Sequence, residues 1–210
     1  MTPQRGGEPR IARSSAESSC RSRQDQFGGD EVPLFGRFLE RAGLSADAGL
    51  EEVVAAVQAI PYGRPRDRTA AGVLADWVGT CSTKHALLSE LIGERWPVLN
   101  PRLVHRVYRV ERPMARERFG EVPAATVPDG GLIDVHRYLI ITHGRRDVVI
   151  DVTFPSDQPW DGRSDMPLAC GPGRDHPAGA DPAADKAALE AVNCDPRVRE
   201  PFIAALSQER

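Results

Sequence analysis

The sequence predicts an α+β fold in which helices pack on an antiparallel sheet. Three observations carry that prediction. Residues 81–93 form an apolar helical run with a cap residue at each end. Residues 132–141 and 148–154 are two β-prone runs around a short polar segment, which reads as a hairpin. Further helical patterns lie before and after these strands. A chain of 210 residues is long enough for one domain with a real core.

The elements follow in chain order. Residues 1–30, rich in Ser, Gly, Arg and Gln, carry too little apolar surface to offset their ordering entropy. They are expected to be a disordered tail, with the domain over 31–210. Residues 33–41 have a helical spacing that stops near Gly43. Ser45 is the expected cap of a second helix holding Leu50, Val53, Val54, Val57 and Ile60, ended by Pro61. Residues 64–75 show no clear period. Thr80 caps the buried helix at its start, and Gly93 is its expected C-terminal stop. Val104, Val107, Tyr108 and Val110 mark a strand over 103–110. Residues 111–131, with their Pro and Gly, read as a loop. The proline-rich stretch up to about 182 reads as an irregular arm, and two short helices near 183–191 and 196–206 close the chain.

Charge and hydropathy narrow the function classes. The formal net charge is −3, from 27 Lys and Arg against 30 Asp and Glu, which excludes a strongly basic nucleic-acid binder. No apolar run reaches the ~18 residues needed to span a membrane. Residues 1–30 hold no signal-like apolar stretch, so a cytoplasmic protein is expected. Of the basic residues only Lys84 and Lys186 are lysine, and the arginine excess reads as a coding bias rather than phosphate binding.

The cysteines are Cys20, Cys81, Cys170 and Cys194, with no C-x-x-C spacing, and free thiols are expected. Cys170, His176 and Cys194 fit no common metal-site spacing, so neither a metal nor a cofactor is expected. Cys81 is different. With Thr80 as the cap it falls in the first helical turn, where the positive end of the helix dipole favours thiolate. His136 and Asp151 follow on the two hairpin strands. The order Cys, His, Asp supplies a nucleophile, a base and an orienting acid. Direct pairing of His136 with Asp151 would make Thr142 face Arg145, leaving His143-Gly144 as a two-residue turn with Gly second, as a type I′ turn prefers. Asp151 also lies between Ile150 and Val152, and a buried carboxylate needs a partner. A salt bridge to an arginine is the structural alternative.

The segment Gly79-Thr80-Cys81-Ser82-Thr83-Lys84-His85-Ala86-Leu87-Leu88 resembles the nucleophile motif of the transglutaminase-like superfamily. Val135-His136-Arg137-Tyr138-Leu139 is similar to that family's His-bearing strand, and Val149-Ile150-Asp151-Val152-Thr153-Phe154 to its Asp-bearing strand. The resemblance covers about residues 70–155. It implies a papain-like core: a helix carrying the cysteine, packed on an antiparallel sheet carrying His and Asp. It also implies that Cys81 attacks an amide carbonyl, that His136 moves the proton, and that Asp151 orients the imidazole. The product would be a thioester, resolved by water or by an amine. The partner expected is therefore an amide- or peptide-containing substrate. The Ser82 and Thr83 that follow the cysteine, and the Lys84 and His85 after them, depart from the family's usual pattern.

Two other readings remain. An arylamine N-acetyltransferase also orders Cys, His and Asp, but Trp77-Val78-Gly79-Thr80 stands where Arg-Gly-Gly is usual. A catalytically silent binding or scaffold module is the alternative outside enzymology. The Cys81 N–H is the expected oxyanion donor, with the Trp77 indole as a second. His85 is expected in a core or supporting role behind Cys81. Lys84 is expected to be solvated, with a substrate contact as the alternative.

Overall fold

A computed structural model describes residues 33–208. The tail expected over 1–30 lies outside the described residues. The fold is mixed α+β: eight α-helices and a four-stranded antiparallel sheet among those residues.

Helix α1 (Leu34–Ala42) ends at Gly43, whose φ of +67° supplies the left-handed turn that glycine makes at no steric cost. Helix α2 (Leu50–Ala59) starts later than Ser45 suggests. Gly49 is its cap residue, and the Gly49 N–H donates to Glu52 Oε2 at 2.8 Å, while Ser45 turns to Asp47 instead. Within the unassigned 64–75 region lies α3 (Ala70–Asp76), capped by Thr69 Oγ1 accepting from Gly72 N–H at 3.1 Å. Helix α4 (Cys81–Arg95) starts at Thr80 as expected but runs through Gly93. Tertiary contact carries the extra turn: Glu94 accepts the Phe35 N–H at 2.8 Å, and Trp96 packs edge-on against Phe35. Pro97 then stops it.

The sheet order is β3-β2-β1-β4, from β1 (Arg102–Val110), β2 (Leu132–His143), β3 (Arg146–Ile150) and β4 (Gly173–Pro177). Two expectations are corrected here. Residues 111–131 are not a loop but two short helices, α5 (Arg112–Phe119) and α6 (Glu121–Thr126). Pro113 sits in the first turn of α5, where a missing N–H costs nothing. The arm at 155–182 is mostly irregular, but it contributes β4, which pairs with β1 through residues too polar to read as a strand.

The hairpin register is shifted from the one expected. His143 faces Arg146 and Leu139 faces Ile150, so the turn is Gly144-Arg145 and His136 does not oppose Asp151. Gly144 takes φ +66° in the first turn position while Arg145 stays at negative φ, the pattern of a type II′ turn. A shift of two residues preserves side-chain alternation. Leu139, Ile141, Val148 and Ile150 therefore share one face in either register.

That face builds the larger core. Leu87, Leu88, Leu91 and Ile92 of α4 pack with Leu139, Ile141, Val148 and Ile150 of the sheet and Val53, Val54 and Val57 of α2, all fully or almost fully buried. Four leucine-sized side chains from one helix give about 1.5–3 kcal/mol each on burial, which anchors α4 on the sheet. A second cluster joins Phe119 and Val127 to Phe202 and Leu206 of α8 (Pro196–Leu206). Helix α7 (Pro182–Asn193), capped by Asp181, completes the described chain. No helix among the described residues is long and apolar enough to cross a membrane.

Candidate active site

Position begins with backbone. Gly79 N–H donates to Pro61 O at 3.0 Å and Gly63 N–H to Gly79 O at 3.2 Å, pinning the approach to α4 against residues 61–63. A side chain at Gly79 would meet Lys84 Cγ at 2.6 Å, so this close approach requires glycine. Thr80 N–H donates to Thr83 Oγ1 at 2.9 Å and fixes the first turn of α4. Cys81 is then the first helical residue, and its N–H has no carbonyl four residues back.

Lys84 is not solvated. It is fully buried, and its ammonium donates to Gln58 O and Ile60 O at 2.8 Å and to Thr153 O at 3.1 Å. One cation thus ties the end of α2 and the segment after β3 to α4. His85 does support the site, as expected. Its Nδ1 lies 2.6 Å from Cys81 O and its Nε2 accepts the Val152 N–H at 3.0 Å, so the proton sits on Nδ1. Burial drives its pKa down to about 4, against the opposing pull of Asp151. His85 is therefore neutral and structural, one turn behind Cys81.

Cys81, His136 and Asp151 come together. His136 Nε2 lies 2.7 Å from Asp151 Oδ2. Cys81 and His136 shift each other's ionisation, and with Nε2 on Asp151 the imidazole nitrogen left to serve the thiol is Nδ1. Asp151 is further held by Thr153 N–H and Oγ1, at 3.0 and 2.5 Å from Oδ1, and by Ala169 N–H at 2.8 Å from Oδ2. All three residues are buried, at 8%, 3% and 4% exposure.

The electrostatics follow from those contacts. Burial would raise the Cys81 thiol, but the Lys186 ammonium and His136 outweigh it and bring the pKa down to about 6. Burial would likewise discharge His136, yet Asp151 and Cys81 hold its pKa well above the usual histidine value. Asp151 is buried, but His136, His85 and Thr153 keep its pKa well below the ordinary carboxylate range. Each charged form stabilises the next along the chain of three.

A cleft of about 370 Å³ opens over Cys81, bounded in part by Tyr62, Asp134, Arg137, Lys186 and Arg199. Tyr62 is buried, and burial with the Cys81 and Asp134 charges keeps its hydroxyl protonated. Arg137 bridges α4 and α7, donating to Ser82 O at 2.9 Å and Pro182 O at 2.5 Å. Arg199 binds Asp134 at 2.6 Å, Glu190 at 2.8 Å and Glu200 at 3.3 Å. Arg64, at the rim, pairs with Glu200 at 2.6 Å.

Lys186 is the main residue that sequence reasoning left unassigned. Its Nζ lies 3.6 Å from Cys81 Sγ and 2.6 Å from Ser82 Oγ, and it is 6% exposed. The available signal was compositional: a second lysine in a chain whose other basic residues, Lys84 apart, are arginines. Trp77, expected as an oxyanion donor, lies elsewhere. Its ring packs on Phe38 beneath the Arg41 guanidinium, and it does not line the cleft. Trp160 is buried in the larger core with its indole N–H on Ser164 O. Among the described residues, no group of three or more His, Cys, Asp or Glu side chains is placed to hold a metal ion. Cys81, Cys170 and Cys194 are free thiols, and Cys20 lies outside the described residues.

Comparison with protein-family models, with curated proteins and with solved structures finds no match to this chain.

Proposed function

We propose that this protein is a cysteine-dependent amide or peptide hydrolase, or an acyltransferase, built on a papain-like, transglutaminase-like core. One observation carries the reading: a buried histidine hydrogen-bonded to a buried aspartate, with charge coupling to a helix-N-terminal cysteine that favours its thiolate. The antiparallel sheet packed on the cysteine-bearing helix supports the papain-like core.

The chemistry balances as follows. The Cys81 thiolate attacks the carbonyl carbon, an S–C bond forms, and the carbonyl π pair moves onto oxygen. The Cys81 N–H at the α4 N-terminus hydrogen-bonds that oxyanion. Collapse reforms the carbonyl and breaks the C–N bond, and the departing amine takes the proton from His136. The thioester remains on Cys81. Neutral His136 then takes a proton from water or from an acceptor amine. Attack releases an acid or a new amide, and His136 keeps that proton as the thiolate returns. Asp151 holds the imidazole orientation and stabilises its cation throughout. Water is the simpler acceptor, so hydrolysis is the leading outcome.

The test is capture of the intermediate. p-Nitrophenyl acetate should acetylate Cys81, giving a burst of nitrophenolate and an adduct located by peptide mass spectrometry. Hydroxylamine should discharge that adduct as acetohydroxamate. A protein that gives no burst and no adduct at Cys81 contradicts the reading.

A further inference from the structure

We propose that Lys186 is a fourth catalytic group, whose ammonium pairs with the resting Cys81 thiolate and then follows the negative charge onto the substrate oxygen. This rests on the acyl-enzyme reading above.

The geometry is specific. Lys186 Nζ contacts Cys81 Sγ at 3.6 Å, Ser82 Oγ at 2.6 Å and Glu190 at 3.5 Å, so its three N–H directions are divided among a reacting atom and two fixed acceptors. Glu190 does not neutralise it alone, because that carboxylate also binds Arg199 at 2.8 Å. Helix α7, which carries Lys186, is tied to the nucleophile helix by Arg137, through Ser82 O and Pro182 O. Nζ is thereby held where sulfur must react.

Composition gives an independent argument. Basic positions in this chain are arginine in 25 cases and lysine in two. Both lysines are buried, Lys84 completely and Lys186 to 6% exposure, and each ammonium group makes three polar contacts. In this arginine-dominated chain both lysines thus stand where a compact ammonium with tetrahedrally disposed donors is buried among several acceptors. At Lys84 the acceptors are three backbone carbonyls, and the role is architectural. At Lys186 one acceptor is the nucleophile.

The chemistry then follows. As the S–C bond forms, sulfur loses its charge and becomes a poor acceptor, while the carbonyl oxygen gains the electron pair. The N–H that faced sulfur can turn to that oxygen beside the Cys81 N–H. No proton leaves Nζ, and His136 still supplies the proton to the departing amine. Of the other ionisable or charged groups around the cleft, Tyr62, Asp134, Arg137, Glu190 and Arg199 are buried, tied to protein partners or both, Arg64 pairs with Glu200 at the rim, and Arg68 is exposed there.

Two measurements test this on the full chain. With lysine labelled at 13Cε and 15Nζ, two signals are expected. The Lys186 signal, assigned by its loss in Lys186→Met or in Lys186→Arg, should change position as Cys81 ionises near 6 and stop doing so after carbamidomethylation. The Lys84 signal should not follow Cys81. In Lys186→Met, the pH midpoint for Cys81 alkylation should rise by about one unit or more, a tenfold or greater loss of thiolate at low pH. Acetylation by p-nitrophenyl acetate should fall by more than that loss, because the oxyanion donor goes too. Lys186→Arg should keep most of the midpoint shift but not the acetylation rate. A folded Lys186→Met with unchanged midpoint and acetylation rate overturns the proposal, and so does a wild-type Lys186 signal indifferent to Cys81. If Lys186→Met does not fold, the wild-type titration decides. A wild-type protein that forms no acyl-enzyme instead defeats the functional reading beneath it.

Discussion

His136 Nε2 and Asp151 Oδ2 lie 2.7 Å apart although the two residues do not oppose each other across a strand pair. Asp151 is one residue past the end of β3, and its carboxylate is aimed by Thr153 and Ala169 rather than by the sheet ladder. Asp151→Asn keeps the volume but removes the charge that holds His136 cationic. Acetylation of Cys81 by p-nitrophenyl acetate should fall by about 10²–10⁴, as loss of the carboxylate costs other triads. Thr153→Ala removes one hydrogen bond worth roughly 1 kcal/mol and should cost about tenfold or less. Equal losses in the two variants would mean that the loop geometry, not the charge, carries the effect.

The pH dependence follows from two opposite shifts. The Cys81 thiol is brought down to about 6, so acylation should rise as pH passes through that value. The His136 imidazole stays protonated well above the usual histidine range, and in the proposed mechanism its proton goes to the leaving amine. Turnover of an amide should therefore be bell-shaped, with its alkaline limb set by His136. Alkylation by iodoacetamide needs only thiolate, so its profile should rise through about 6 and not fall again. Stopped-flow alkylation and steady-state turnover over the same buffers compare the two.

Stability should also fall in mild acid. His85 is buried and neutral with its pKa brought down to about 4, so between the ordinary histidine value and that point the unfolded chain binds more protons than the folded one. The stability its neutral form contributes is fully present above about pH 6.5 and is lost as pH falls towards 4. His105, also buried with its pKa near 4, adds to the same loss. His136 has a raised pKa, so its contribution is full below 6.5 and is lost only as pH rises through its folded value. Urea unfolding at pH 7 and 4.5 should show a smaller acid loss for His85→Gln than for the unsubstituted chain. An unchanged difference would contradict the neutral assignment of His85.

The two lysines should separate cleanly. Lys84→Met deprives three buried carbonyls of their ammonium and should cost about 3 kcal/mol or more of stability, at roughly 1–3 kcal/mol for each acceptor left without it. It should leave the Cys81 alkylation midpoint near 6, which Lys186 and His136 govern. Thermal melting and alkylation on the same sample measure both. A Lys84→Met protein of undiminished stability would show that the carbonyls find other partners.

Much of this was legible in the residues, for identifiable reasons. Thr80 marked the α4 start because a hydroxyl residue before an apolar run is a favoured cap, although the bond that fixes the turn runs from the Thr80 N–H to Thr83 Oγ1. Gly43 marked the end of α1 through its positive φ. Strand parity keeps Leu139, Ile141 and Ile150 on one face even though the register is two residues off, and the structure shows that this face builds the larger core. Register itself was not legible, because His143-Gly144 and Gly144-Arg145 are both plausible turns and a two-residue shift leaves every face unchanged. Gly93 misled because glycine stops a helix only where a left-handed residue is needed, and contacts of Glu94 and Trp96 with α1 carry α4 past it. Strand β4 and Lys186 were hidden for a shared reason. Each takes its role from a partner distant in sequence, β1 in one case and Cys81 in the other.

The most direct test of the central claim is the reactivity of Cys81 towards iodoacetamide across pH, with the adduct located by mass spectrometry, in the unsubstituted chain and in His136→Ala. The arrangement predicts fast modification at Cys81 with a midpoint near 6, and a rise of that midpoint towards the ordinary thiol value of 9.0 when His136 is removed. Slow modification with an ordinary thiol profile, the same in both proteins, would contradict the existence of an activated Cys81–His136–Asp151 site.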